Sequence, residues 1–258
     1  ADKAMYFAKQ NGRNQVRLAE AADEVSWQEV AVDAFVQILD NHKIPFNTSM
    51  AENLSKKLQT KQENTSGSST KDLLYTVVDT ISKSYAPQHQ EGITKSKVQL
   101  ASAIAKRFDL SKTDVDKLKI AMLLYDIGNI MVPNDLLKKT SPLTEEEKET
   151  ITKHPIYAAQ EILKPINHVS NIIPIIEHHH ENWDGTGYPS KKKGDDIPLI
   201  SQIILIVDSY YAMISERPYR KSYAEEEAVE EIKKLRGKKY SEELTDEFVH
   251  AIEDLKRM

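Results

Sequence analysis

The residues best suited to chemistry lie in one short run, from 179 to 189. It reads His-His-Glu-Asn-Trp-Asp-Gly-Thr-Gly-Tyr-Pro, so two adjacent imidazoles and two carboxylates lead into a glycine-rich turn. Imidazoles and carboxylates are ligands for metal ions, and bound metal ions activate water for attack on phosphate esters. The run therefore predicts a metal site that serves phosphate chemistry.

Three more candidate ligands stand where apolar stretches of the chain stop. Asp126 follows an apolar helical pattern, His154 comes directly before Pro155, and Asp208 follows a run of aliphatic residues. A charged or polar group at the end of a buried element is costly unless it is paired or coordinated. Each of them alone is more often structural, but together with the histidine pair they predict a metal site. The candidate ligands are Asp126, His154, His179, His180 and Asp208.

The elements that must hold these ligands have the pattern of helices. Apolar residues share one face of the segment 98–108 at spacings of three and four, as in an amphipathic helix. Thr144 with Glu147 and Ser222 with Glu225 have the spacing of a capping box, so each pair is expected to begin a helix. Strong strand alternation is absent from this half of the sequence. The pattern predicts an all-α bundle from about residue 71 to 258.

Composition excludes several classes of function. The chain has 258 residues, of which 40% are hydrophobic and 29% charged, so it can bury a sizeable core. Its formal net charge of −5 argues against binding to a nucleic-acid polymer, which requires a basic face. It has no cysteine, so a metal must be bound through nitrogen and oxygen. Because no apolar run approaches the ~20 residues of a membrane span, we expect a cytoplasmic piece without membrane contact, whose parent chain could carry an anchor.

The first residues indicate an upstream neighbour. Residues 1–9 read Ala-Asp-Lys-Ala-Met-Tyr-Phe-Ala-Lys, and Gly-Arg-Asn follows at 12–14. They resemble the last helix and turn of a GGDEF diguanylate cyclase domain. The stretch 61–70 has almost no apolar content and predicts a linker. We therefore divide the chain into a GGDEF remnant at 1–18, a helical segment with the polar linker at 19–70, and a main domain at 71–258.

The order of motifs along the main domain resembles that of an HD-GYP domain. HD-GYP domains form the branch of the HD metallohydrolase superfamily that hydrolyses the bacterial second messenger cyclic di-GMP. The resemblance implies a helical bundle of the HD superfamily, preceded here by a short N-terminal helical segment. The matching pieces are Tyr-Asp-Ile-Gly-Asn at 125–129, Lys-His-Pro at 153–155, the run 179–189, Asp-Ser-Tyr-Tyr-Ala-Met at 208–213 and Arg-Pro-Tyr-Arg at 217–220.

The resemblance also implies a role for each matching residue. Family members hold two or three iron or manganese ions that activate a water for attack on a phosphodiester. By position, Asp126 resembles the bridging aspartate, and His154, His179, His180 and Asp208 match further metal ligands. A tyrosine of the GYP element and two arginines, whose planar guanidinium groups suit phosphate oxygens, match substrate-binding residues. These three are Tyr188, Arg217 and Arg220.

Three positions depart from the family pattern. Tyr125 stands where the dyad histidine belongs, Asn129 replaces a lysine, and Thr94 occupies the expected position of the first histidine. These changes remove an imidazole, a positive charge and a further ligand from one side of the expected centre. The sequence therefore predicts a degenerate site that holds fewer ions than complete family members, and it assigns no catalytic residue.

Three functions remain open at this point. The favoured one is a degenerate HD-GYP module, inactive or strongly impaired, that binds metal or cyclic di-GMP or regulates a GGDEF domain in its own or another chain. The second is a metal-dependent cyclic di-GMP phosphodiesterase with an unconventional metal site. The third is a purely structural module that forms a homodimer through the helical segment before the linker.

Overall fold

The computed structural model describes residues 27–41, 70–85, 90, 92–166, 168–215 and 221–257. These residues form helices and contain no β-strand, only an isolated bridge between Arg236 and Tyr240. The prediction of an all-α fold is therefore confirmed. The α-helices of this part of the chain are α1 Trp27–Asn41, α2 Thr70–Tyr85, α3 Ile93–Arg107, α4 Lys112–Leu124, α5 Asn134–Leu137, α6 Glu145–Ile151, α7 His154–Ile156, α8 Ile173–Glu177, α9 Leu199–Ile214, α10 Glu225–Lys234 and α11 Glu242–Lys256. A π-helix at Tyr157–Leu163 continues α7, and 3-10 helices lie at Ile127–Met131, Ser170–Ile172 and Gly194–Asp196.

Helix α3 lies at the centre of the bundle and packs against α2, α4, α9 and α11. The apolar face predicted from its spacing is the buried one, since Val98, Ala101 and Ile104 are all in the core. Ala105 lies on the same face and is buried as well, and the buried Leu100 widens this face. A helix with a wide apolar face must be covered by several other elements, which explains its central place.

Helix α9 is strongly apolar, and every residue from 200 to 207 is buried. It has 16 residues, and no helix in the described part of the chain is both long and apolar enough to cross a membrane. Asp208 is the first charged residue along α9, but the helix continues to Ile214. The expectation that Asp208 ends an apolar element is therefore wrong, because the remaining residues of α9 extend the same helix with a partly exposed face.

Of the two predicted capping boxes, one forms as expected. Thr144 N donates to Glu147 Oε2 at 2.8 Å and Glu147 N donates to Thr144 Oγ1 at 3.2 Å, which begins α6. The second box does not form: its helix begins two residues later than predicted, after Ala224, whose N–H donates to Glu227 Oε2 at 2.9 Å, but alanine has no side-chain oxygen to complete the pair. The acidic run at 225–227 offers glutamates in several registers, so the sequence spacing alone could not select the right one.

Helix α1 belongs spatially to the bundle although it precedes the polar stretch in sequence. Its Trp27, Ala31, Ala34 and Ile38 side chains are buried in the common core, and the helix packs against α2 and α4. The predicted division into three segments stays a prediction. The residues compared with a GGDEF domain, 1–18, and most of the predicted linker, 61–69, lie outside the described residues.

Candidate metal centre

Three histidines from two separate parts of the chain meet in one cluster. His154 begins α7, whereas His179 and His180 follow α8. Their ring nitrogens lie within 4.8 Å of one another, and the Nε2 atoms of His154 and His179 are 3.3 Å apart. His154 and His179 are buried and His180 is half-buried. The three imidazoles that the sequence predicted as ligands are thus close enough together to hold a metal ion.

Backbone carbonyl groups determine the tautomers of two of these rings. His154 Nδ1 donates to Ile151 O at 2.9 Å, and His179 Nδ1 donates to Ile176 O at 2.6 Å. A carbonyl oxygen only accepts, so each neutral ring carries its proton on Nδ1 and a lone pair on Nε2. The two lone pairs then face each other across 3.3 Å, which is unfavourable without a bound cation. Metal-binding histidines commonly donate their other nitrogen to a carbonyl in this way, so the donor set fits a metal ion.

Desolvation keeps the imidazoles of His179 and His180 neutral. Burial, together with the neighbouring His154, lowers the pKa of His179 to about 3. Burial and the neighbouring His179 likewise hold the pKa of His180 well below its ordinary value. Because histidine binds a metal only in its deprotonated form, both rings can accept an ion at neutral pH without first releasing a proton.

Asp126 adds a carboxylate to the edge of the histidine cluster. It follows α4 directly after Tyr125, and its Oδ1 lies 3.5 Å from His154 Nε2. Asn129 Nδ2 donates to the same oxygen at 3.2 Å. Desolvation and the nearby charge of Asp208 raise the pKa of Asp126. Two carboxylates placed this close to each other favour a cation between or beside them.

Asp208 is held by a different set of partners. Its Oδ1 accepts hydrogen bonds from Lys97 Nζ at 2.7 Å and from the Tyr125 hydroxyl at 2.6 Å. Lys97 Nζ also donates to the Tyr125 hydroxyl oxygen at 2.6 Å. Desolvation opposes ionisation of Asp208, but the charge and hydrogen bonds of Lys97 and Tyr125 outweigh it and hold the pKa of Asp208 below its usual range. Asp208 therefore lies at the site with one oxygen already occupied.

Lys97 is a residue of the site that the sequence motifs did not identify. It lies on α3, three positions after Thr94, and residues three apart share a helix face. This spacing from Thr94, which stands at the expected position of a family histidine, is the sequence signal that could have identified Lys97. Thr94 itself is buried, and its backbone N–H donates to Asp79 Oδ1 at 3.3 Å.

The run 179–189 folds back so that its tyrosine covers the histidine cluster. Tyr188 N donates to His180 O at 3.2 Å, and the two rings stack with their centroids 4.8 Å apart. Gly187 permits this return, because a Cβ at that position would collide with His180 O and Asn182 N. Tyr188 is thus brought to the site. The other two predicted substrate contacts, Arg217 and Arg220, lie outside the described residues.

Two further residues hold this loop in place, one through its side chain and one through its backbone. Glu181 is buried, and its Oε1 accepts a hydrogen bond from Ser190 N at 2.6 Å. Lys239, from the connection between α10 and α11, donates through Nζ to Ser209 Oγ at 3.0 Å. Its carbonyl oxygen accepts from Trp183 N at 3.1 Å. Glu181 thus joins the two ends of the loop, and Lys239 holds Trp183 to the connection between α10 and α11.

Comparison with known proteins identifies the family of this chain. A family model described as the HD domain matches residues 76–244. A cyclic di-GMP phosphodiesterase of Thermotoga maritima is 37% identical over 153 residues, which are 58% of this chain and 41% of that protein. A 3'3'-cGAMP-specific phosphodiesterase 2 of Vibrio cholerae is 28% identical over 178 residues, or 68% of this chain and 34% of that protein. The chain thus spans less than half the length of these curated relatives.

A solved structure supports the fold independently. A protein of Bdellovibrio bacteriovorus, described as an HDG"Y"P protein, aligns with a TM-score of 0.56 at 17% identity. The alignment covers 98% of this chain and 79% of that chain. At this level of identity the likeness concerns the helical fold alone.

Proposed function

Since the chain belongs to the HD domain family, we propose that it is a degenerate HD-GYP module of bacterial cyclic di-GMP signalling. It binds a metal ion and the nucleotide with little or no hydrolysis, and it acts on a partner such as a GGDEF domain. One observation carries this proposal: the histidine cluster is complete, whereas the neighbouring carboxylate, Asp208, is held by Lys97 and Tyr125. A site divided in this way favours binding over turnover.

His154, His179 and His180 would hold the ion, with Asp126 as the adjacent carboxylate. Three imidazoles and a carboxylate suit a borderline transition metal such as iron or manganese. A bound ion would supply Lewis acidity toward a phosphate oxygen and lower the pKa of a bound water. The chain's own part is to orient the rings of His154 and His179 through Ile151 O and Ile176 O.

Weak hydrolysis follows from the groups on the other side of the site. Efficient phosphodiester cleavage at two-metal centres uses both ions to stabilise the attacking and the leaving oxygen. Here Tyr125 presents a neutral hydroxyl that is engaged with Asp208, and Asn129 presents a neutral amide engaged with Asp126. Removal of one preorganised electrostatic group commonly lowers the rate by a factor of ~10²–10³. In this chain, more than one such group of the family pattern is replaced.

Hydrolysis by an unconventional site is the second candidate function. It is favoured by the close approach of Asp126 to the histidine cluster and by Tyr188 stacked on His180, since these groups meet at one place. The relatives named as phosphodiesterases support the same alternative. Only a turnover measurement separates it from the binding module.

The test combines three measurements on the purified chain: metal content by mass spectrometry, cyclic di-GMP affinity by calorimetry, and nucleotide turnover by chromatography. The proposal expects bound metal, cyclic di-GMP affinity that depends on the metal, and turnover at least ~10²-fold below that of a complete family member assayed in parallel. Asp126→Ala is the matched variant for activity, and Asp135→Ala, on the short helix α5, is its control.

Two results would contradict the proposal. Rapid turnover that Asp126→Ala abolishes and Asp135→Ala does not would establish the phosphodiesterase alternative. A metal-free chain that ignores cyclic di-GMP after reconstitution with Fe²⁺ and Mn²⁺ would exclude both and leave a structural module.

A further inference from the structure

Lys97, Tyr125 and Asp208 form a closed triangle of hydrogen bonds beside the histidine cluster. Its sides are 2.6 Å, 2.7 Å and 2.6 Å long. The three residues come from α3, from the end of α4 and from the interior of α9, all of which are packed in the core. The side chains of Lys97 and Asp208 are only 13% and 24% exposed. The lysine ammonium is therefore a positive charge held at one place in the site.

An ammonium group at this place competes with a metal ion for Asp208. Oδ1 already accepts hydrogen bonds from two donors, so its lone pairs are directed toward Lys97 and Tyr125. A dication next to the same carboxylate would also be repelled by the lysine charge, and such repulsion is strong where water is largely excluded. The ammonium meanwhile neutralises the carboxylate, as a bound cation would.

Tyr125 reinforces this arrangement. Its hydroxyl donates to Asp208, whereas a neutral imidazole at the same position could turn a lone pair toward an ion. The Tyr125 ring also lies beside the ring of His179, with centroids 5.2 Å apart, so the triangle adjoins the histidine cluster. Lysine and tyrosine thus act together on one carboxylate.

We propose that the Lys97 ammonium takes the place of a second metal ion beside Asp208 and thereby restricts this site to a single ion at His154, His179 and His180. The inference rests on the proposed function, because it assumes that the histidine cluster binds a metal. It assigns to Lys97 a positioning and specificity role that concerns the number of ions.

The experiment compares the wild type with Lys97→Met after reconstitution with Mn²⁺. Metal content is measured by mass spectrometry after desalting, and the electron paramagnetic resonance spectrum distinguishes an isolated Mn²⁺ from a spin-coupled pair. We expect about one ion per chain in the wild type and about two in Lys97→Met, as at two-metal sites, with a coupled spectrum only in the variant. Lys139→Met, which removes the half-buried ion pair of Lys139 with Glu147 at the first turn of α6, is the matched control and should bind as the wild type does.

If methionine at position 97 prevents folding, Lys97→Gln serves the same test. Glutamine is neutral and can still donate a hydrogen bond to Asp208. Combining either change with Asp208→Asn removes the carboxylate and should return the count to about one ion. A double variant that still binds a second ion would contradict the assignment of Asp208.

The outcomes separate this inference from the proposed function. Two ions in the wild type, or one ion in both wild type and Lys97 variants, would overturn the inference and leave metal binding intact. No ion in the wild type would overturn the proposed function itself.

Discussion

At the scale of single residues, two carbonyl groups determine what the histidine cluster can do. Ile151 O and Ile176 O accept the Nδ1 protons of His154 and His179, and this leaves two Nε2 lone pairs 3.3 Å apart. At Nε2 these two rings therefore present acceptors without a donor, which is the electronic requirement of a cation site. Cyclic di-GMP could not itself satisfy these lone pairs through its phosphates, because phosphate oxygens are acceptors too.

His180 offers the least disruptive test of metal binding, because it is only half-buried. We expect His180→Gln to weaken metal affinity by more than the ~10–100-fold that loss of an outer-shell partner costs, measured by competition with a chromogenic chelator. His250→Gln, on the exposed side of α11, is the control and should leave affinity unchanged. Equal affinity in both variants would contradict the ligand role of His180.

The depressed pKa of His179 predicts a pH dependence for the metal-free protein. Its folded pKa of about 3 lies below the unfolded value, which is about 6.5. The unfolded chain therefore binds more protons between these values, and stability is lost as the pH falls from about 6.5 toward 3. We expect urea unfolding to show a loss on the order of 2 kcal/mol between pH 7 and pH 5 from this group.

The variant His179→Gln should reduce that pH dependence, whatever its own stability at pH 7. Asp126 acts in the opposite direction because its folded pKa is raised, so its contribution is lost as the pH increases through that value. The comparison of slopes between variant and wild type isolates the histidine. An unchanged slope would show that His179 is not the buried neutral base described here.

At the scale of elements, the site depends on a close contact between the 3-10 helix Ile127–Met131 and helix α7. Gly128 lies at this contact, and a Cβ there would collide with His154 O and approach Ala158 N at 2.8 Å. Asp126 immediately precedes the 3-10 helix, and His154 begins α7. Glycine at 128 thus lets two candidate ligands from different elements approach each other.

Gly128→Ala is expected to push these two elements apart. We predict a loss of roughly 1–3 kcal/mol in stability, as for other overpacked sites, together with weaker metal binding because Asp126 and His154 separate. Gly194→Ala is the control. The φ of +58° at this position costs roughly 1–2 kcal/mol for a residue with a side chain, but an added Cβ would meet only Trp183 at an ordinary contact distance of 4.0 Å. The two variants should differ in metal affinity measured by calorimetry, and equal affinities would contradict the prediction.

At the scale of the whole molecule, the bundle extends beyond the family match. The HD domain model covers residues 76–244, whereas α1 at 27–41 supplies Trp27 and Ile38 to the same core. The C-terminal helix α11 likewise extends past the match and packs on the central helix α3. The folding unit therefore includes helices on both sides of the matched region.

Removing the N-terminal helix should therefore destabilise the bundle. We expect a fragment 70–258 to be less stable than 19–258 in urea unfolding, because burial of Ile38 alone is worth about 1.5–3 kcal/mol and Trp27 adds to it. A fragment that begins at residue 27 retains α1 and serves as the control. If all three fragments were equally stable, the folding unit would begin after the polar linker, as the predicted domain division at residue 71 has it.

The sequence by itself determined the helical class, the family and the identity of the histidine cluster. Helical class follows from local spacing, as on α3, and the capping box of Thr144 and Glu147 is a local signal too. The motif around His179 and His180 is contiguous, so its residues could be named without knowledge of the fold. The metal and substrate roles of these residues stay predictions, as does the origin of residues 1–18.

Only the tertiary structure decided how the two sides of the site differ. Lys97 and Asp208 are 111 positions apart, and Lys97 and Tyr125 are 28 apart. No local pattern relates residues at such distances, because their contact depends on the packing of α3, α4 and α9 in one core. The tautomers of His154 and His179 depend in the same way on the carbonyl groups that the folded helices present to them. The histidine motif therefore named the candidate ligands, and the packing of the helices placed a lysine charge next to them.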